Sequence, residues 1–285
     1  MNAITVGIVG PLERAKVWER RLRPFASIKE VIISNHLSAI GDVEASIILE
    51  NDGNCFEDAL QAVRLGQHVF IISPIPTDRQ IVEKLYHAAE ESNVVLQFAN
   101  WATFSQSSQW MLNHVYKPKL IHIRRDIPRN DFLVYDAPFE RIWMEDLGLT
   151  IKWMNSTIHH IEANLISLNP DEEIAIQIYV RFDNGSTAVI FVNTMSSEAR
   201  HERFAANQTM TVQCDVARQS LKIAHTGSQS KHFFERKEFN DSEPADIAIN
   251  LFLKSIQLKK PSPFSGYEAL QLVNTIQKVK ERVTY

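Results

Sequence analysis

Cysteine is scarce: Cys55 and Cys214 are the two in 285 residues, and they stand far apart. That excludes a disulfide framework, leaves too few thiols for a metal cluster and suits a reducing cytoplasm. An excess of one charge is also missing. Thirty Lys and Arg against 34 Asp and Glu give a formal charge of -4 and a pI near 6.2, so electrostatics offers no reason to expect nucleic acid or an anionic membrane as a partner. Long hydrophobic runs are absent as well. The stretch from Ser92 to Tyr116 has no Asp, Glu, Lys or Arg, but its many Asn, Gln and Ser residues exclude a membrane span. Ile4 to Val9 is short, follows no basic residues and soon meets Glu13 and Arg14, so it reads as a first strand and not as a targeting segment. No internal repeat or low-complexity tract occurs.

What is present is an alternation of strands and helices followed by a strand-rich half. Ile4 to Val9, Val31 to Ser34, Ser46 to Leu49, Val69 to Ile72 and Val94 to Phe98 read as strands separated by helical segments, which predicts a doubly wound parallel sheet of the Rossmann type. The length suits two domains, 1–118 and 119–285, with the boundary near Lys117-Pro118-Lys119. After it come a strand from Leu120 to Arg124, a polar loop, and a helix from about Glu140 to Asn155. Ile174, Ile176, Ile178, Val180 and Phe182 then alternate with Ala175, Gln177, Tyr179 and Arg181, the period of a half-buried antiparallel strand. Asp183-Asn184-Gly185 supplies its turn, Thr187 to Val192 returns, and Met210 to Cys214 and Leu221 to Ala224 add strands. Two helices close the chain; the last opens with a capping box, Ser265 and Glu268, and carries an apolar stripe of Ala269, Val273, Ile276 and Val283.

The richest segment is Ala59 to Asp78, ALQAVRLGQHVFIISPIPTD. Ala59, Leu60 and Val63 share a helix face, Gly66 fits a left-handed cap, His68 to Ile72 is a buried parallel strand, and Pro74 and Pro76 stop it. Thr77 with Gln80 forms a capping box for the next helix, whose stripe is Ile81, Leu85 and Ala88 or Ala89. This unit resembles one from the family of glucose-fructose oxidoreductase, inositol dehydrogenase and MocA (Gfo/Idh/MocA). There it ends in Glu-Lys-Pro, with the lysine beside nicotinamide and substrate. Here the tripeptide is Ile72-Ser73-Pro74, and a serine hydroxyl supplies neither the positive charge nor an acid or base near neutral pH.

The resemblance spans nearly the whole chain and implies an NAD(P)-binding-type first domain and a C-terminal α+β domain with an open, mainly antiparallel sheet and helices on one face. At the cofactor turn, Gly10 is the first glycine of the family's GxGxxG. Leu12 stands at the second, where backbone should approach a pyrophosphate, and Glu13 adds negative charge there, although Arg14 and a helix N-terminus favour an anion. The second strand ends in Ser34, Asn35 and His36, with no acid for ribose. The family's Asp-x-Gly-x-His reads Asp146-Leu147-Gly148-Leu149-Thr150, and its later acidic position falls near Trp153. Losing a general acid or base costs about two to four orders of magnitude in rate. The arginine-bearing loop after the fifth strand reads Phe98 to Phe104.

These positions imply a scaffold with degenerate cofactor and catalytic motifs. NAD(P) is expected to bind weakly or not at all. A small ligand or protein partner is expected in the interdomain cleft, at Ser73, Asn100, Trp101, Asp146 and Thr150. One alternative is a working NAD(P)-dependent dehydrogenase of a sugar-like or polyol substrate, using Asp146 with His36 or Tyr135; another is a structural subunit of an active relative. His159, His160 and Glu162 lack a third convergent metal ligand, because adjacent strand residues face opposite ways. Arg124, Arg125, Asp126, Arg129 and Asp131 read as a solvated charged loop, with an acidic ligand as the second reading. Trp101 on its strand-end loop is a better ligand contact than Trp110, Trp143 or Trp153, which have the spacing of core residues. An open sheet needs cover, and Ala175, Tyr179, Ala188 and Ile190 or Phe191 make its face apolar. A homodimer or dimer-based tetramer packed sheet to sheet is the expected assembly.

Overall fold

A computed structural model describes residues 3–50, 53–134, 138–169, 172–226, 232–240 and 242–284. The chain divides into two compact units, one of residues 1–101 and 244–273, the other of residues 102–243 and 274–285.

In the first unit the elements are β1 (Ile4–Val9), α1 (Leu12–Leu22), β2 (Ile28–Ser34), β3 (Ala45–Leu49), α2 (Cys55–Arg64), β4 (His68–Ile72), α3 (Arg79–Ser92) and β5 (Leu96–Phe98). All five strands are parallel, in the order β2-β1-β3-β4-β5. Ala45 to Leu49 and Val69 to Ile71 have no or almost no exposed surface, as uncharged central strands covered on both faces must. Gly66 follows α2 at φ +79°, the left-handed position its place in the sequence predicts. The cap of α3 differs from expectation: Asp78, not Thr77, accepts from the Gln80 amide at 2.8 Å. Two cap-capable residues stand in tandem there, and the carboxylate takes the position.

The second unit opens with α4 (Gln106–His114) and continues through β6 (Leu120–Pro128), α5 (Arg129–Val134), α6 (Phe139–Met154), β7 (Ile158–Asn169), β8 (Glu172–Phe182), β9 (Thr187–Ser196), β10 (Arg200–Ala206), β11 (Met210–Asp215), β12 (Ser220–Thr226) and β13 (His232–Glu238). The chain ends with α7 (Pro244–Leu258), α8 (Gly266–Arg282) and β14 (Val283–Thr284). Among the described residues the second sheet has nine strands in the order β13-β12-β11-β10-β6-β9-β8-β7-β14, mainly antiparallel, with parallel pairing at β6–β9 and β14–β7.

Several expectations change here. The segment 102–118 groups with the second unit and not the first, because Arg203 of β10 binds Ala102 and Ser108. Residues 244–273 return to the first, where Gln97 donates to the Ala248 carbonyl and Phe70 meets Phe252. Arg124, Arg125 and Asp126 lie on β6, not on a loop; Arg124 and Asn193 of β9 both bond Asp126 along the sheet, and Arg125 reaches the Ile142 carbonyl of α6. Val283, placed by periodicity on the last helix, pairs with Ala163 as part of β14. The Ser265–Glu268 capping box is present, with the Ser265 amide donating to the Glu268 carboxylate at 2.9 Å. Register puts Ala188 and Ile190 on the face shared with Ile121, Ile123, Ile176 and Ile178, where they are fully buried. Ala175, Tyr179 and Phe191 belong to the opposite face, so of the residues expected on the open face these three are on it and Ala188 and Ile190 are not.

Candidate functional site

The first unit's candidate site is the turn from β1 into α1. Gly10 has φ +143°, and a Cβ there would stand 2.7 Å from the Leu49 Cβ on β3. Strand packing therefore explains this glycine without a ligand. Pro11 precedes α1 and offers no amide, and no side chain caps the helix. Leu12 is half exposed, Glu13 is exposed and pairs with Lys16 at 3.0 Å, and the Arg14 guanidinium donates to the Glu50 carbonyl at 3.0 Å. At the end of β2, Asn35 and His36 are exposed, and the Ser34 hydroxyl accepts from the His36 amide. Residues 34–36, at that strand end, include no carboxylate.

Ser73 follows β4 and is buried, near the Cys55 thiol at the start of α2. Burial pushes that thiol up to about 12, with Ser73 pulling the other way. Asn100 is buried, and the Trp101 ring stacks on Trp18 with centroids 6.4 Å apart. Ser73, Asn100 and Trp101 belong to the first unit; Asp146 and Thr150 belong to the second.

In the second unit α6 carries Asp146 and Thr150, both without exposed surface. The Thr150 hydroxyl donates to the Asp146 carbonyl one turn back at 2.8 Å, so its hydrogen is used inside its own helix. Asp146 faces two side chains of β10. Arg203 Nη2 donates to Asp146 Oδ1 at 3.1 Å, and His201 Nε2 lies 3.4 Å from the same oxygen and 3.4 Å from Arg203 Nη2. Arg203 is 1% exposed, and its Nη1 donates to the Ala102 carbonyl at 3.2 Å and the Ser108 hydroxyl at 2.5 Å. Asp146 Oδ2 and Arg203 Nε are buried without a protein partner.

Burial alone would push the Asp146 carboxyl up; His201 and Arg203 outweigh it and hold the group below the usual carboxylate range. Burial pushes the His201 imidazole down, against the pull of Asp146. Next along the helix, Glu145 is pushed up to about 7, by burial first, with Arg125 opposing and Asp146 adding. Two adjacent carboxyls are thus driven apart beside a half-buried histidine, by burial and by the charges around them. Asp146 and Thr150 were legible as family motif positions. His201 and Arg203 were not, because nothing in a sequence ties β10 to a helix more than fifty residues earlier.

The remaining candidates are occupied elsewhere. His159 stands 3.3 Å from Asp183 and His160 2.9 Å from Glu162, and no group of three metal-ligating side chains occurs among the described residues. Trp143 and Trp153 are buried, Trp153 donating to the Val115 carbonyl, and Trp110 stacks on His114. Arg124 pairs with Asp126 at 2.6 Å and Arg129 with Glu172. Tyr135 lies outside the described residues. No described helix is long and apolar enough to cross a membrane.

No protein-family model and no curated protein matches the sequence. Solved structures do match along its whole length. UDP-N-acetylglucosamine 3-dehydrogenase GnnA from Acidithiobacillus ferrooxidans has a TM-score of 0.84 at 16% identity, over 99% of this chain and 98% of that one. An NAD binding oxidoreductase from Klebsiella pneumoniae gives 0.82 at 11%, over 98% and 96%. Levoglucosan dehydrogenase in complex with NADH gives 0.78 at 13%, over 99% and 97%. The chain therefore has the fold of the two-domain dehydrogenases, a Rossmann-like unit and an open-sheet unit. That is the fold the Gfo/Idh/MocA resemblance implied.

Proposed function

We propose that this dehydrogenase-fold protein has lost the hydride chemistry of the resemblance family and binds a small ligand through the second unit. One observation carries the reading: the side chains at the three family catalytic positions are each committed inside the protein. Ser73 is buried near a buried thiol, Thr150 bonds its own helix, and Asp146 is sealed against Arg203. The first-unit turn supports it too. Leu12 and Glu13 stand where a pyrophosphate would lie, β2 ends without an acid, and Gly10 is needed for packing. NAD(P) accordingly binds weakly or not at all, and the protein works in the cytoplasm, where both buried cysteines stay reduced.

The contact between Asp146 and His201 favours a second reading, a working NAD(P)-dependent enzyme of a sugar-like or polyol substrate in which His201 replaces the histidine missing at 150. Incubation with NAD+ or NADP+ and a panel of polyols, sugars and nucleotide sugars separates the two. The degenerate reading expects no reduced nicotinamide; cofactor reduction abolished by His201→Asn would establish the second.

For assembly we propose a homodimer, or a tetramer of dimers, packed through the open sheet face, where Ile166, Leu168 and Met195 are each about half exposed beside Tyr179 and Phe191. Light scattering should give a dimer or tetramer at micromolar concentration, and a monomer would reject this.

A further inference from the structure

We propose that the second unit takes a small hydroxy-carboxylate, with His201 meeting a ligand hydroxyl and Arg125 the carboxylate. The inference rests on the ligand-binding reading above and deepens it.

Arg125 on β6 and His201 on β10 are register partners in an antiparallel pair, so their side chains leave the same face directly opposite each other, about 5 Å apart at Cβ. Both are half-buried. The contacts of His201 to Asp146 and Arg203 are made through Nε2, which leaves Nδ1 without a protein partner among the described residues. Asp146 thus acts as a positioning residue that fixes one edge of the ring and turns the other toward a ligand. Arg125 makes a long bond of 3.4 Å from Nη1 to the Ile142 carbonyl. No carboxylate lies within ion-pair distance of it among the described residues, so most of its five N–H donors remain for a planar anion. Arg203 adds a second fixed positive charge on the same face, against the negative charge of Asp146. An imidazole acceptor or donor beside a guanidinium fork matches a hydroxyl next to a carboxylate better than either group alone.

Gluconate, sorbitol and hexanoate are the probes: sorbitol replaces the carboxylate with an alcohol, and hexanoate lacks the hydroxyls. By titration calorimetry gluconate should bind at least about tenfold tighter than either, the worth of one charge-assisted bond. Arg125→Gln should weaken gluconate and hexanoate and leave sorbitol unchanged. His201→Asn should weaken gluconate and sorbitol and leave hexanoate unchanged, and Arg125→Lys should recover part of the loss. In ring-proton titrations by NMR, Asp146→Asn should lower the His201 pKa further, and the ring shift on gluconate addition should shrink. Gluconate binding no tighter than sorbitol, or indifferent to Arg125→Gln and His201→Asn, overturns the inference. Cofactor turnover would overturn the degenerate reading whatever gluconate does; failure of gluconate without turnover sinks this inference alone.

Discussion

Gly10 in the first unit and Asp146 in the second both match family motif positions, yet different forces hold them. At Gly10 the cause is steric: a left-handed backbone and β3 too near for a Cβ. At Asp146 it is electrostatic, since a carboxylate with no exposed surface stands against a guanidinium that is itself buried. A steric requirement carries no chemistry outward. An ionic cluster with one half-buried histidine has the means to, so the two units teach that a retained motif residue is informative only once its local cause is known.

The comparison breaks most visibly at Arg203. Arg203→Met leaves Asp146 buried with His201 alone beside it and should cost about 3 to 5 kcal/mol in denaturant unfolding. Adding Asp146→Leu should recover more than half of that, because removing both charges abolishes the desolvation penalty. A loss under about 1 kcal/mol for the single variant would mean that water reaches the pair. Gly10→Ala comes next, at about 2 to 4 kcal/mol from backbone strain and overpacking against Leu49. The loss should appear without any ligand, and a stable Gly10→Ala protein would contradict the steric explanation.

The legibility of these sites follows the same division. Strands buried on both faces, the Gly66 cap, the Ser265 box and the alternation of β8 were readable, because each depends on local chemistry or a short period. The continuation of β6 through Arg124 to Pro128 was not, since a run of charges imitates a loop until its partners Asn193 and Phe191 are known. β10, with His201, Glu202 and Arg203 in succession, was missed for the same reason. Its buried arginine is stabilised by Asp146, Ser108 and Ala102, and no local pattern announces that. The site therefore emerged one residue at a time from the motif, Asp146 first and its partners only in three dimensions.

The smallest expected effects are in pH. Glu145, raised from 4.5 to about 7, binds protons more readily when folded, so its contribution to stability is present below pH 4.5 and is lost as pH rises to about 7. His201 is lowered from 6.5, so the unfolded chain binds its proton more readily, and stability is lost as pH falls below 6.5. The two oppose each other in the wild type. Glu145→Gln should become less stable on acidification from pH 6.5, whereas His201→Asn should become more stable from pH 7 toward 4.5, both measured by denaturant midpoints. Identical profiles for the two variants would remove the electrostatic cluster from the account.

The claim that the first unit keeps a fold without its cofactor chemistry is tested most directly by titration calorimetry of the wild-type protein with NAD+, NADH, NADP+ and NADPH. A dissociation constant near ten micromolar would let millimolar cofactor stabilise the fold by about 2.7 kcal/mol, readily seen as a parallel rise in melting temperature. The expected result is no micromolar binding and no such rise. Micromolar affinity for any of the four would contradict the account.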